Sequence, residues 1–153
     1  MNIYEQLVDE YSDKVYVVEK IFKSKAKGLC KGSKIGISKD IATSNEKSCI
    51  LAEELGHYYT SVGNILDLSF SQNRKQERQA RLWAYNKRIG LCGLIRAYER
   101  GCSNSHEIAE YLDVTEEFLC EALECYKNKY GICTCVDNYT IYFIPYLSII
   151  KRI

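Results

Sequence analysis

Two adjacent carboxylates and a histidine interrupt an otherwise apolar stretch, Cys49 to His57 (CILAEELGH). Its spacing predicts a helix over about Glu46 to Tyr59, with Thr43, Ser44 and Asn45 offering amino-terminal caps and an end before Gly63. Cys49, Ile50, Ala52, Leu55 and Gly56 give that helix a largely buried character. Charged groups on a buried helix are costly unless they are paired. The fold must therefore bring a second element against this helix. Glu53 and His57 are spaced i and i+4 and share a face, while Glu54 points to the side.

The remaining pattern predicts a mainly helical α+β chain with a small sheet. Ile3, Leu7 and Tyr11 form one helical stripe, and a short helix is expected over Val15 to Lys25. Gly28 and Gly32 bracket turns, and Lys34 to Ser38 alternates like a strand in a hairpin or meander. Ser69 to Asn73 reads as a polar loop, followed by helices over Arg74 to Arg88 and Leu91 to Arg100, the latter stopping at Gly101. Ser103 to Tyr130 reads as two helices around a turn at Asp113 to Thr115, a helix-turn-helix pattern. Asp137-Asn138 between ICTCV and YTIYF signals a β-hairpin, which Pro145 ends. The expectation is one domain over 1–153. It has a core at 1–90, a helical region at 91–131 and a carboxy-terminal hairpin at 132–153, with no repeat or flexible linker.

Composition narrows the function classes. The net charge of +1 gives no global attraction to nucleic acid or to a membrane surface. No apolar run is long enough to span a bilayer, and the opening MNIYEQLVDEY lacks an apolar signal core, so a cytoplasmic location is expected. Eight cysteines without paired CxxC knuckles then read as thiols. Cys133 and Cys135 should share a strand face as packed small hydrophobes. With no coiled-coil pattern, a monomer is expected.

The stretch Glu53-Glu54-Leu55-Gly56-His57 parallels H-E-x-x-H, in which two ligands one turn apart face a metal and the intervening glutamate acts as general base. On the residues alone two readings stand: a metal site, or a solvated pair of glutamates beside a satisfied histidine. The later RKQERQAR is either a solvated helix face or a source of one inward carboxylate. There Glu77 lies at i−3 to Ala80, which falls with Trp83 and Ala84 on the core-facing side. His106 is expected to be a surface or capping residue. Asp67 is read as a loop residue in reach of a supporting role, and Tyr58 and Tyr59 as packing residues.

ILAEELGHYYTSVGN resembles the core motif of the ImmA/IrrE family of metallo-endopeptidases, in the form found on mobile elements of Gram-positive bacteria. The resemblance extends to Lys75 to Ala80 (KQERQA), to Gly28 to Ala42, and to SHEIAEYLDVTEEFLCEALECYKNKYG, and so covers essentially the whole chain. It implies a zincin-like core with Glu54 as general base, His57 as a zinc ligand and Glu77 as a ligand from the next helix. Glu53 stands where the family has histidine. As a ligand it would neutralise more of the metal's charge and make manganese or iron(II) more competitive with zinc. The resemblance also implies a partner, a helix-turn-helix (XRE-type) repressor or antitoxin whose cleavage derepresses phage or mobile-element genes. A pseudo-protease that binds this partner without cutting it is the nearest alternative. A DNA-binding regulator is another, but Glu116, Glu117, Glu121 and Glu124 on the would-be recognition helix would be repelled by phosphates, so direct DNA binding is not expected.

Overall fold

A computed structural model describes residues 1–60 and 70–153. The chain has the mainly helical α+β fold expected, and it divides into two compact units, Met1–Ala84 and Tyr85–Ile153. Asp67, Gly63 and the start of the expected polar loop lie outside the described residues.

The first unit opens with α1 (Ile3–Glu10), started by a reciprocal cap between Asn2 and Glu5. A three-stranded sheet follows, made of β1 (Tyr16–Lys20), β2 (Gly28–Lys31) and β3 (Lys34–Ser38), in the order β1-β3-β2. β3 is the middle strand, parallel to β1 and antiparallel to β2, and its Ile35 and Ile37 are fully buried. The helix expected over Val15 to Lys25 is instead strand β1. Its β-branched Val17 and Val18 suit a pleated surface and pair with Ile35 and Gly36. Gly32 makes the expected turn at φ +60. Gly28 is the first residue of β2, where a Cβ would lie 2.8 Å from Cγ2 of Ile50. It is a point of close approach between strand and helix.

That helix is α2 (Ser44–Thr60). Thr43 caps it, its hydroxyl accepting from the Glu46 amide at 3.3 Å. Leu51, Ala52 and Leu55 are fully buried, as the pattern anticipates. The expected loop ends sooner than Asn73, because α3 (Phe70–Arg88) already includes residues 70–73.

The second unit contains α4 (Gly90–Glu99), α5 (Ser105–Leu112) and α6 (Glu116–Tyr130), then a sheet of β4 (Cys133–Val136), β5 (Tyr139–Tyr142) and β6 (Ser148–Lys151). The α5–α6 turn is set by Asp113 in the left-handed conformation and by Thr115, whose hydroxyl accepts from the Phe118 amide at 3.1 Å. Leu94, Leu119, Tyr126 and Ile141 fill the core. The Tyr126 hydroxyl donates to Asn86 and accepts from the Gly90 amide. The expected hairpin turns at Asp137, with φ 52. The β4–β5 pairing ends at Tyr142, before Pro145 as expected, and β6 then adds to β5 an antiparallel strand that the hairpin reading did not include. Cys133 and Cys135 do share a face, but they are exposed rather than packed, because Thr134 and Val136 oppose the buried Ile141 and Tyr139. No helix among the described residues is long and apolar enough to cross a membrane.

Candidate metal centre

Helix α2 sets the first register of the site. Glu54 points toward β2, where Gly28 closes over it: a Cβ on Gly28 would stand 3.0 Å from Cγ and 3.3 Å from Oε1 of Glu54. Burial, and after it the charges of Glu53 and Glu77, push the Glu54 carboxyl up to about 7. A carboxyl held there gives up and takes back a proton near neutrality, which suits a general base that must later act as acid. Cys30, also on β2, has its thiol pushed up to about 11 by burial and by the charge of Glu54, so it stays protonated.

Helix α3 supplies the opposing carboxylate. Nε2 of His57 lies 3.2 Å from Oε2 of Glu77. The other oxygen of Glu77 accepts from Nε of Arg81 at 3.0 Å, one turn along α3. Arg81 thus ties down one oxygen and leaves the other facing the histidine. The two helices come this close because of Gly56, where a Cβ would lie 2.2 Å from the carbonyl oxygen of Ala80. Only glycine leaves room for that carbonyl, so Gly56 sets the distance from which Glu77 reaches His57.

The spacing of the pair suits a shared metal ion. Two donors bound tetrahedrally at about 2.0–2.1 Å lie about 3.3 Å apart. The observed 3.2 Å between imidazole nitrogen and carboxylate oxygen matches that spacing, and the donor types suit a divalent cation. The residues fit as a two-ligand half-site. Among the described residues no group of three or more His, Cys, Asp or Glu side chains is placed to hold a metal ion, so Glu53 is not drawn into a triplet with His57 and Glu77. It stays close enough for its charge to be felt by Glu54.

The other sequence candidates take packing and surface places. Tyr59 stacks on Trp83 with centroids 5.2 Å apart, and Tyr11 and Tyr58 meet Tyr59 edge-on. These rings form an aromatic cluster at the end of α2. His106 is exposed, with Nδ1 2.5 Å from Glu116 and Nε2 3.6 Å from Glu110, and its pKa is raised mainly by the Glu116 bond. Asn104, not His106, caps α5. Sequence reasoning missed Arg81 and Gly28. The i,i+4 spacing of Glu77 and Arg81 was a usable signal for the first. Nothing local marked the second, because its role appears only when β2 meets α2.

No curated protein and no solved structure matched the chain. The family model for peptidase M78, described as the IrrE N-terminal-like domain, matches residues 6–124, which include β1 to β3, α2, α3 and most of the second unit's helices. A metallopeptidase-like role and a metal cofactor follow from that match, and the chain belongs to the peptidase M78 family of IrrE N-terminal-like domains.

Proposed function

We propose that the chain is a zinc-dependent endopeptidase that cuts a helix-turn-helix repressor or antitoxin in the cytoplasm and so derepresses phage or mobile-element genes. The observation that carries this reading is the meeting of His57 and Glu77 at 3.2 Å on the helix whose Glu54 is held near neutral pKa. His57 and Glu77 would hold the metal, with Glu53 available from the same face of α2. A divalent cation held there lowers the pKa of water and polarises a carbonyl oxygen. Glu54 takes a proton from the attacking water and hands it to the amine that leaves, so one carboxyl serves both steps. Gly28 and β2 shield that carboxyl from bulk water and keep its pKa up. Arg81 orients Glu77 and does not touch the substrate.

The test is to incubate the protein with the repressor or antitoxin encoded beside it, with zinc and with a chelator. A fragment that needs metal and is lost in Glu54→Gln supports the reading. An intact partner in every condition overturns it. A second reading, a pseudo-protease that binds the partner without cutting it, is favoured by one observation: Glu53 stands outside any three-residue cluster with His57 and Glu77. Glu53→His separates the two. Cleavage gained only in that variant means the natural chain binds without cutting.

A further inference from the structure

Between Lys20 and Lys39 the chain carries seven lysines and no aspartate or glutamate. This run of positive charge spans β2, β3 and the segment before them, and all seven lysines are exposed. Lys27 pairs with Glu46 at 2.8 Å. Lys23, Lys25, Lys31 and Lys34 have no ion pair among the described residues. They flank an edge. β2 has β3 on one side and no strand on the other among the described residues.

The edge has a defined chemistry. The Lys27 carbonyl accepts from the Ser38 amide at 2.8 Å, and the register then alternates along the pair. Leu29 and Lys31 therefore direct their main-chain groups toward β3, whereas Gly28 and Cys30 direct theirs outward. The side chain of Leu29 is half exposed beside this edge, and the opposite face of Gly28 meets Glu54. Outward N–H and C=O groups in alternation satisfy a polypeptide strand. A phosphate backbone would use only the donors and leave the carbonyls unpaired. The charge then selects among polypeptides, because an acidic segment gains from each flanking lysine and a basic one is repelled.

We propose that the lysine-flanked edge of β2 is a specificity surface that binds an extended, carboxylate-rich polypeptide segment and presents it beside Glu54. This rests on the peptidase reading for its use, but not for its measurement. The full-length Glu54→Gln protein is titrated, by fluorescence anisotropy, with a short labelled peptide alternating glutamate and threonine. Counterparts carry glutamine or lysine in place of the glutamates, and a short DNA duplex is titrated alongside. Binding of the acidic peptide is expected to exceed that of the glutamine peptide by about tenfold at low ionic strength and to fall as salt rises. Lys25→Glu/Lys31→Glu/Lys34→Glu should abolish that preference, while Lys129→Glu/Lys151→Glu in the second unit leaves it unchanged. Cys30→Pro removes an outward N–H together with the thiol that meets the Gly32 carbonyl, and should weaken binding with an unchanged circular dichroism spectrum, whereas Cys30→Ser, which loses the thiol alone, should not. Equal binding of the three peptides, tighter binding of the duplex, or indifference to the lysine reversals overturns the proposal. If the acidic peptide binds as expected and the wild-type chain with metal cuts nothing, the surface stands and the peptidase reading fails.

Discussion

Replacing Gly56 by alanine opposes two effects of known sign. Alanine is the better helix former by about 1 kcal/mol, so in an uncrowded helix the change would stabilise. Here the new Cβ would meet the Ala80 carbonyl oxygen at 2.2 Å, with the carbonyl carbon at 2.9 Å. An ordinary carbon–oxygen contact is about 3.3 Å, so α3 must retreat by about 1 Å, and the obstacle is backbone that no rotamer change can relieve. Overpacking of this kind costs about 1–3 kcal/mol, and a rigid obstacle puts it at the upper end. The net expectation is a loss of about 1–2 kcal/mol, measured by urea unfolding of the metal-free protein. The retreat also carries Glu77 away from His57, opening the 3.2 Å contact to about 4 Å, beyond the reach of one shared cation. Isothermal titration with zinc should show affinity reduced at least tenfold. A Gly56→Ala protein that is more stable than the parent and binds zinc equally well would refute the argument that this glycine sets the site.

Other outcomes follow from the same geometry. In metal-free protein, Glu54 has a folded pKa of about 7 against 4.5 when unfolded, so the fold favours its neutral form. Its contribution to stability is present below about pH 4.5, is lost as pH rises to about 7 and stays lost above that. The loss is at most about 3 kcal/mol at 1.36 kcal/mol per pKa unit. Glu54→Gln should therefore raise stability relative to the parent at pH 8 but not at pH 4.5, as read by urea midpoints in chelator. Arg81→Ala should change stability by less than about 1 kcal/mol, because the pair is half exposed, yet weaken zinc binding about tenfold by freeing Glu77 to turn. Thr115→Ala removes the α6 cap and should cost about 1 kcal/mol in thermal or urea unfolding.

Much of the fold, and the meeting of His57 with Glu77, is legible in the sequence. Helix α2, the strand Lys34–Ser38 and the turn at Asp113 carried local signals: apolar spacing, a cap residue and residues tolerant of positive φ. Glu77 was legible because its i−3 relation to Ala80 sets it on the side of α3 that meets His57, although its side chain stays nearly half exposed. What escaped was set by pairing at a distance. β1 read as helix because Val15 to Lys25 has no alternation, and only the buried β3 beside it selects the strand. β6 was missed because Pro145 ends local pairing without preventing a return strand. The exposure of Cys133 and Cys135 depends on which side of the sheet meets the core, a choice made by Ile141 and Tyr139 across the register. The place of Glu53 likewise depends on side-chain conformation at a helix surface, which spacing does not determine.

The strand order β1-β3-β2 also bears on how the first unit assembles. β2 and β3 are joined by two residues and form a local hairpin, whereas β1 reaches the far edge of β3 only after that hairpin exists as a template. Hairpin closure takes microseconds, and parallel pairing across an intervening segment is slower because more chain entropy is lost first. The wall beside Glu54 would then form early, and β1 would seal the sheet late. Destabilising changes in β1, such as Val17→Ala, should thus act mainly on the unfolding rate, and changes in β3, such as Ile35→Val, on the folding rate.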